Sequence, residues 1–146
     1  MSPAITKAAV CAASIMLSAC AGPEAIAEAA PCVDLKSSGS TAVFEGRLTV
    51  QLFAGPPNYE SIAAGDAEER ALILELPERE CVVGDDFIES GSTFDRVHVS
   101  SMDDALLDVL AASVGREVKI EGEAFGSHTG HHHAPLVLMA EKVSVR

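Results

Sequence analysis

Four of the five histidines lie close together, in a segment that we call the histidine loop (residues 126–134). If this segment is extended, His131 and His133 point the same way, and a turn before them brings His128 back toward the same point. Three neutral imidazoles that meet suit Zn²⁺, Cu²⁺ or Ni²⁺, which prefer nitrogen ligands. We therefore expect a transition-metal site there, with His132 as a weaker candidate ligand.

The remaining ligand would be water or a carboxylate from elsewhere in the chain, for which Glu60 and Asp66 are the weaker candidates. The spacing matches no established zinc motif, because no His-Glu-x-x-His and no cysteine pair lies near the histidines. Two other interpretations stay open. In one, the imidazoles hydrogen-bond backbone groups and pack against Tyr59 and Pro57, which fixes two loops to each other. In the other, they form a pH-sensitive binding surface, since clustered imidazoles gain charge between roughly pH 5 and 7.

Two predicted strands flank the histidine loop. The first, residues 115–125, alternates apolar and charged side chains, which is typical of a half-buried strand. The second begins at Leu136 and is almost wholly apolar, so we expect it to be covered on both sides. Gly126 and Gly130 are predicted to give the loop its backbone freedom, and Pro135 limits where the second strand begins.

The rest of the chain predicts three more strands and one helix. Ser101 is the expected N-cap of the helix, Gly115 is expected to end it, and an apolar stripe that includes Met102 should face the core. A glycine in mid-strand, Gly46, predicts a bulge or sharp bend. The predicted strands before the helix span residues 41–53, 70–76 and 94–99.

Five strands with one helix between the third and fourth is the element order of an OB-fold, a small Greek-key barrel. An open α+β sheet is the alternative. In the barrel, two connections flank the usual ligand face: the histidine loop and the segment that we call the long loop (residues 54–69). We therefore expect these two loops to lie side by side.

The long loop is rich in Gly and Pro and is long for a compact domain, which is typical of functional loops. We expect it to form one wall of a ligand groove, with Tyr59 as the contact surface, Asn58 and Pro57 beside it, and Glu60 as a carboxylate. The alternative is a surface excursion stiffened by its prolines.

The beginning of the chain predicts export. Residues 1–19 carry one basic residue and a short apolar run, the pattern of a signal peptide. Residues 17–20, Leu-Ser-Ala-Cys, resemble the lipobox of bacterial lipoproteins, which implies cleavage before Cys20 and a lipid on its thiol. Ala21 then implies an outer-membrane lipoprotein, more on the periplasmic side than on the cell surface. An ordinary secretory signal is the alternative. Residues 20–40 would be a tether and residues 41–146 the domain.

Two of the four cysteines remain if Cys11 leaves with the signal and Cys20 carries lipid. We therefore expect Cys32, in the tether, to form a disulfide with Cys81, because the cell envelope is oxidising. Two free thiols or a metal pair are the alternatives. The formal charge of −12 argues against nucleic acid and anionic lipid head groups as partners.

Two motifs resemble a bacterial family of uncharacterised domains, DUF4431. One is residues 55–62 with Gly65 and Asp66, and the other is residues 128–133 with residues 135–138. With the strands around them, the resemblance extends over most of residues 44–145. It implies no catalytic residue, substrate or cofactor.

The sequence favours a non-enzymatic, lipid-anchored envelope domain that binds a ligand at the paired loops. That ligand is a transition metal, a small molecule or a peptide. A metal-dependent hydrolase, with Glu60 as the base, is one alternative, and a purely structural or protein-interaction module is another. Catalysis has little support, since the chain has no Gly-x-Ser-x-Gly and no Gly-rich phosphate loop.

Overall fold

The structure, a computed structural model, describes residues 31–36 and 41–146, and shows a β-barrel with one helix. Residues 1–30, which include the predicted signal peptide and Cys20, lie outside the described residues. In the described ranges, no helix is both long and apolar enough to cross a bilayer. The elements are β1 (Val33–Asp34), β2 (Thr41–Ala54), a 3₁₀ turn (Ile62–Ala64), β3 (Glu68–Val83), β4 (Thr93–Ser100), α1 (Asp104–Ala112), β5 (Glu117–Gly126) and β6 (Leu136–Val145).

Five of these strands close into a barrel. β2 pairs antiparallel with β3 and with β5, β3 pairs antiparallel with β4, and β5 pairs antiparallel with β6. A parallel pairing between β4 and β6 completes the ring. With α1 between β4 and β5, this is the predicted OB-like Greek-key barrel. The open α+β sheet is therefore wrong, because the sheet closes on itself.

Two glycines allow neighbouring barrel strands to approach closely. β2 pairs with β5 up to Arg47 and with β3 from Arg47 onward, so it changes partner next to Gly46. A Cβ on Gly46 would lie 2.2 Å from the backbone oxygen of Glu75, and one on Gly122 would lie 2.1 Å from that of Met139. Only glycine permits such close backbone approach. The bulge or sharp bend expected at Gly46 stays a prediction.

The core lies inside the barrel and is built from the inward faces of its strands. Phe44 of β2 and Phe94 of β4 meet edge to face, with ring centroids 5.7 Å apart. The predicted alternation of β5 and the double-sided burial of β6 are both confirmed. The fully buried side chains of the core include Phe44, Leu48, Leu74, Phe94, Val97, Leu110, Ile120, Leu136 and Leu138.

The helix begins later than its sequence predicts. Its N-cap is Asp103, whose side chain accepts from the backbone N–H groups of Ala105 and Leu106, so the prediction of Ser101 was wrong. The Ser101 hydroxyl instead donates to the backbone oxygen of Ala140 in β6, 2.9 Å away. A carboxylate caps better than a hydroxyl here because it also interacts with the helix dipole.

Met102 does not belong to the apolar stripe of the helix, because it precedes α1 and is 92% exposed. Leu110 is buried, and Leu106 packs against the core cluster. The helix ends at Ala112, and Gly115 follows with φ +84, a left-handed conformation that glycine adopts readily. Gly115 thus turns the chain into β5 after the helix has ended.

β3 is longer than the predicted strand 70–76. The prediction ended it before Pro77, since proline cannot donate a hydrogen bond in a sheet. In the structure, β3 continues to Val83, and the register with β4 shifts between Glu75 and Glu80. Such an irregularity accommodates the proline within the strand.

The predicted disulfide between Cys32 and Cys81 is present. It fastens a short additional strand to the barrel, because β1 pairs in parallel with the end of β3, Val33 opposite Val82. The backbone N–H of Leu35 extends this pairing to the backbone oxygen of Val83, 3.0 Å away. Part of the segment predicted to be a tether therefore belongs to the sheet.

Candidate binding site at two adjacent loops

The long loop and the histidine loop touch through Tyr59 and His131. The phenol oxygen of Tyr59 lies 3.0 Å from His131 Nε2, and the two rings are perpendicular with centroids 5.2 Å apart. Beside them, a Cβ on Gly130 would lie 3.1 Å from atoms of the Tyr59 ring. The expectation that the two loops are neighbours is confirmed.

Gly126 and Gly130 have a different role from the one predicted. Neither has a positive φ, so neither supplies a special turn conformation. Gly130 gives the Tyr59 ring room to approach the backbone. At Gly126, a Cβ would lie 2.8 Å from Asp85 Oδ1, and the backbone N–H donates to Asp85 Oδ2 at 2.8 Å. Both glycines serve close contact between loops.

Asp66 holds the long loop together from inside. One carboxylate oxygen accepts from the backbone N–H and the side-chain amide of Asn58, both at 3.0 Å. The other accepts from the backbone N–H groups of Glu60 and Ser61, both at 2.9 Å. The backbone hydrogen bonds from Ser61, Glu60 and Asn58 stabilise the ionised form and lower the pKa of Asp66 to about 2.

These contacts fix an unusual conformation at Tyr59, whose φ is +61. A residue with a side chain rarely adopts a positive φ, and such strain persists only where neighbouring contacts impose it. Asp66 binds the residues on either side, Asn58 and Glu60, and thereby imposes it. Pro57, predicted to lie in the groove, is exposed next to this turn and follows a cis peptide bond.

Glu69, at the start of β3, lies between two histidines. Its Oε1 is 2.9 Å from His131 Nδ1 and 3.4 Å from His133 Nε2. Burial raises the pKa of Glu69, but the hydrogen bond with His131 and the nearby ring of His133 favour the ionised carboxylate more strongly, so the pKa lies below its usual value. We call Tyr59, Glu69, His131 and His133 the two-loop rim.

The exposure of the rim differs from residue to residue. The His131 side chain is 58% exposed and that of Glu69 is 25% exposed, whereas His133 is only 7% exposed. His131 contacts the Glu69 carboxylate through Nδ1 and the Tyr59 hydroxyl through Nε2. The rim therefore offers solvent a carboxylate, an imidazole and a phenol in one row.

His133 is buried in a stack of rings. It lies parallel to Phe53 of β2, with centroids 4.2 Å apart and planes 3° apart, and it also stacks on His98 of β4 at 5.6 Å. Its Nε2 is buried without hydrogen-bond geometry to any partner, although Glu69 Oε1 is 3.4 Å away. Behind the stack, Phe53 packs with Ala71, Ile73 and Ala134 in a small apolar cluster outside the barrel.

His128 lies in a second group of rings, away from the rim. It stacks on Phe87 at 4.4 Å and meets His132 edge to face at 4.6 Å. Its Nδ1 lies 3.1 Å from the backbone oxygen of Gly126, and its backbone N–H donates to His132 Nδ1 at 3.1 Å. These contacts direct His128 toward the connection after β3, away from Glu69.

Two of the histidines are held in the neutral form. Burial, together with repulsion from the neighbouring His133 and His132, lowers the pKa of His98 to about 4, and the opposing effect of Glu69 is smaller. Burial also lowers the pKa of His132, with added repulsion from His128, His131 and His133. Both rings use Nδ1 as an acceptor for a backbone N–H, which requires that nitrogen to be unprotonated.

The predicted metal ligands are not assembled as a set. His131 and His133 share Glu69, but His128 faces Phe87, and Asp66 has both carboxylate oxygens engaged within its own loop. Glu60 gives its backbone N–H to Asp66. In the described parts of the chain, no three His, Cys, Asp or Glu side chains stand in an arrangement that holds a metal ion.

Sequence reasoning missed two members of this site, His98 and Glu69. His98 lies in β4, 35 positions before His133, so no local spacing connects the two histidines. Glu69 ended the long loop in the prediction and carried no motif. The closed barrel topology is the signal that could have found both, since it brings β3 and β4 beneath the histidine loop.

A surface concavity lies elsewhere, near the disulfide. It has a volume of about 720 Å³. Burial raises the pKa of Glu80, one of the residues that line it. The lining residues are Pro31, Val43, Glu45, Pro77, Glu78, Arg79, Glu80, Cys81 and Thr93. The two-loop rim is thus an open surface outside this concavity.

The chain is similar to a solved structure described as Plasmodium falciparum SSB complex with ssDNA, at 15% identity and a TM-score of 0.36, over 75% of this chain and 95% of that one. No curated protein matches the chain.

A family model matches residues 96–144. This segment includes the histidine motif but not the motif at residues 55–66, so the match is shorter than the expected 44–145. The resemblance that the histidine motif predicts is confirmed: over residues 96–144, the chain matches the family described as Domain of unknown function (DUF4431).

Proposed function

We propose that the protein is a lipid-anchored domain of the bacterial cell envelope that binds a ligand at the two-loop rim without catalysing a reaction. The observation that carries this proposal is the contact between Tyr59 Oη and His131 Nε2 at 3.0 Å. It makes one surface from two loops that are far apart in the sequence, and that surface presents polar groups to solvent.

The construction of the long loop supports a binding role. The Asp66 carboxylate accepts four hydrogen bonds, and these hold Tyr59 at a positive φ. Strained backbone of this kind is concentrated at binding sites, where it orients a side chain before the ligand arrives. A loop that only connected β2 to β3 would have no need of it.

The chemistry of the rim indicates which ligands suit it. Glu69 is ionised at neutral pH, because its pKa lies below the usual value, and it lies next to two imidazoles and a phenol. The whole chain carries a formal charge of −12. A cationic ligand therefore fits better than an anionic one.

Site-specific photo-crosslinking in the native cell envelope tests this proposal. A photoreactive residue at Thr129 or Glu60, both exposed beside the rim, is expected to give one adduct of defined mass. The matched control is Lys119, exposed on β5 and about 20 Å before the histidine loop at the rise of a strand. Adducts that are equal at all three positions, or absent from the rim, would refute a binding role.

A further inference from the structure

The concavity near the disulfide lies where two barrel strands separate. β2 pairs with β3 only as far as Arg47 and Glu75. Beyond these residues, the described part of the chain contains no strand between β2 and β3 until β1 joins β3 at Val82. Val43 and Glu45 of β2 line the concavity on one side, and residues of β3 line it on the other. We call this concavity the open-edge cleft.

The backbone of β2 presents hydrogen-bonding groups to the open-edge cleft. Leu48 bonds to the chain that leads into β5, since its N–H donates to the oxygen of Arg116 and its oxygen accepts from Gly115. Successive residues of a strand direct these groups to opposite edges. Val43 and Glu45, an odd number of positions before Leu48, therefore direct theirs away from β5 and toward β3. No described residue bonds to them there, and such an edge accepts an added strand.

The other wall of the cleft carries a carboxylate without a cation. Burial raises the pKa of Glu80, and no described side chain forms a salt bridge with it. Arg79, the preceding residue, donates to the backbone oxygen of Thr93 at 3.4 Å. Glu45, on the opposite wall, is paired with Arg146. A positive charge from outside the barrel would therefore stabilise the ionised form of Glu80.

We propose that the open-edge cleft binds an extended peptide segment with a basic side chain, which pairs with the edge of β2 at Val43 and Glu45 and places its positive charge beside Glu80. Backbone pairing supplies affinity for an extended chain, whereas the carboxylate selects lysine or arginine. This site is separate from the two-loop rim and does not rest on the proposed function.

Two other occupants fit the cleft less well. A second copy of the chain carries the same formal charge of −12, so two copies repel each other. Proline and charged side chains, here Pro77 and Glu78, also protect a strand edge against copies of the same chain. Residues 20–30, which precede Pro31 at the cleft, contain two glutamates and no lysine or arginine. The charges therefore favour a basic partner.

Titration of the isotopically labelled chain with synthetic peptides tests the site by NMR. The probe is a short peptide of alternating threonine and lysine, which is expected to bind saturably and to shift the backbone amide signals of Val43 and Glu45. Methylation of every backbone amide of the peptide keeps its charge but removes its donors, so it is expected to weaken binding at least about tenfold.

A matched pair of variants tests the role of the carboxylate. Glu80→Gln removes the charge and is expected to weaken binding of the threonine–lysine peptide at least about fivefold. Glu141→Gln, at an exposed position of β6 outside the cleft, makes the same change of charge and is expected to alter the Kd less than about twofold. Urea unfolding checks that both variants are folded, and the peptide comparison needs only the wild-type chain.

Equal affinity for the methylated peptide would overturn the inference, because binding would then follow from charge alone. Unchanged affinity in Glu80→Gln, or an equal loss in Glu141→Gln, would overturn it as well. So would the absence of binding. Signals of Val43 that shift with protein concentration would then assign the cleft to a second copy, and a crosslink from a photoreactive residue at position 43 to residues 20–30 would assign it to the chain itself.

Discussion

The backbone N–H of His133 donates to Nδ1 of His98 over 3.3 Å, which links the histidine loop to the outer face of β4. The bond requires an unprotonated acceptor, so it exists in full only while His98 is neutral. His132 accepts from the backbone N–H of His128 in the same way. The attachment of this loop to the barrel thus depends on the charge of His98, and a hydrogen bond within the loop depends on the charge of His132.

Acid is expected to weaken the fold between about pH 6.5 and pH 4. The pKa of His98 is about 4 in the folded chain and 6.5 unfolded, so over this range the unfolded chain binds a proton that the folded chain does not. The neighbours that face it are His133, His132 and Glu69. We expect a loss of about 1–2 kcal/mol from His98, reduced from the full linkage value because solvent screens part of the effect.

Urea unfolding at pH 7.5, 5.5 and 4.5 measures this loss. The control is His98→Asn, in which the amide oxygen still accepts a hydrogen bond but does not titrate. A wild-type chain whose stability does not change between pH 7.5 and 4.5, or a variant with the same slope as wild type, would contradict the role of His98.

Replacement of Asp66 by Ala is expected to release the long loop without unfolding the barrel. It removes the acceptor for three backbone N–H groups, those of Asn58, Glu60 and Ser61. Hydrogen exchange at these amides should become much faster, while amides of β5 keep their protection. Glu60→Gln, in the same loop, is the control and should leave exchange unchanged.

The acid sensitivity of this loop lies in a different range. Because the folded pKa of Asp66, about 2, is below its usual 3.8, its stabilising effect is complete above about pH 4 and is lost as pH falls through 2. Protected Asn58, Glu60 and Ser61 amides at pH 2 would show that the carboxylate is not what holds them.

Removal of the disulfide is expected to lower the free energy of unfolding by about 2–5 kcal/mol. The double variant Cys32→Ser with Cys81→Ser opens a loop whose ends are 49 positions apart. Urea unfolding of wild type with and without reductant, beside the double variant, measures the effect. If reduced wild type and the variant are as stable as the oxidised chain, the bridge contributes nothing to the fold.

Gly122→Ala is expected to destabilise the barrel by about 1–3 kcal/mol, the usual range for inserting atoms into a packed site. The new Cβ would lie 2.1 Å from the backbone oxygen of Met139, so β5 and β6 must separate. Glu123→Ala, at an exposed neighbour in the same strand, should change stability by less than about 0.5 kcal/mol. Thermal unfolding of both variants provides the comparison, and equal melting temperatures would contradict the packing argument.

Lipid on Cys20 is expected to hold the protein in the membrane fraction. Cells grown with labelled palmitate should label the wild-type chain, and Cys20→Ser should lose both the label and the sedimentation with membranes. Cys32→Ser is the control, because this cysteine is bonded to Cys81 and should leave the label in place. Label that survives in Cys20→Ser would exclude this residue as the anchor.

Much of the fold was accessible to sequence reasoning because barrel strands are half-buried. Apolar alternation identified β2 and β5, and the uninterrupted apolar run identified β6. The alternation ends at Pro77, so the second half of β3 was missed, and β1 has only two residues. β1 is held by the disulfide, and β3 contains a register shift after Glu75. Neither feature leaves a periodic signal in the sequence.

The site was harder to predict than the fold. The histidine spacing located the loop, and the OB order placed it beside Tyr59, yet neither indicated where each ring would point. His128 is drawn away by Phe87, which is 58% exposed and lies in a connection that carried no signal. Glu69 and His98 lie next to the histidine loop because their strands pair within the closed barrel. Local sequence does not reveal that pairing.

The parallel pairing of β4 with β6 also determines when the barrel can form. β6 bonds to β5 on one edge and to β4 on the other, so β4 and β5 each keep an open edge until residues 136–145 have been synthesised. A nascent chain that ends before Leu136 cannot bury the interior, and pairing of strands far apart in sequence is slow to form. Closure of the barrel therefore waits for β6, and the interior is buried in one late step and not strand by strand as the chain is made.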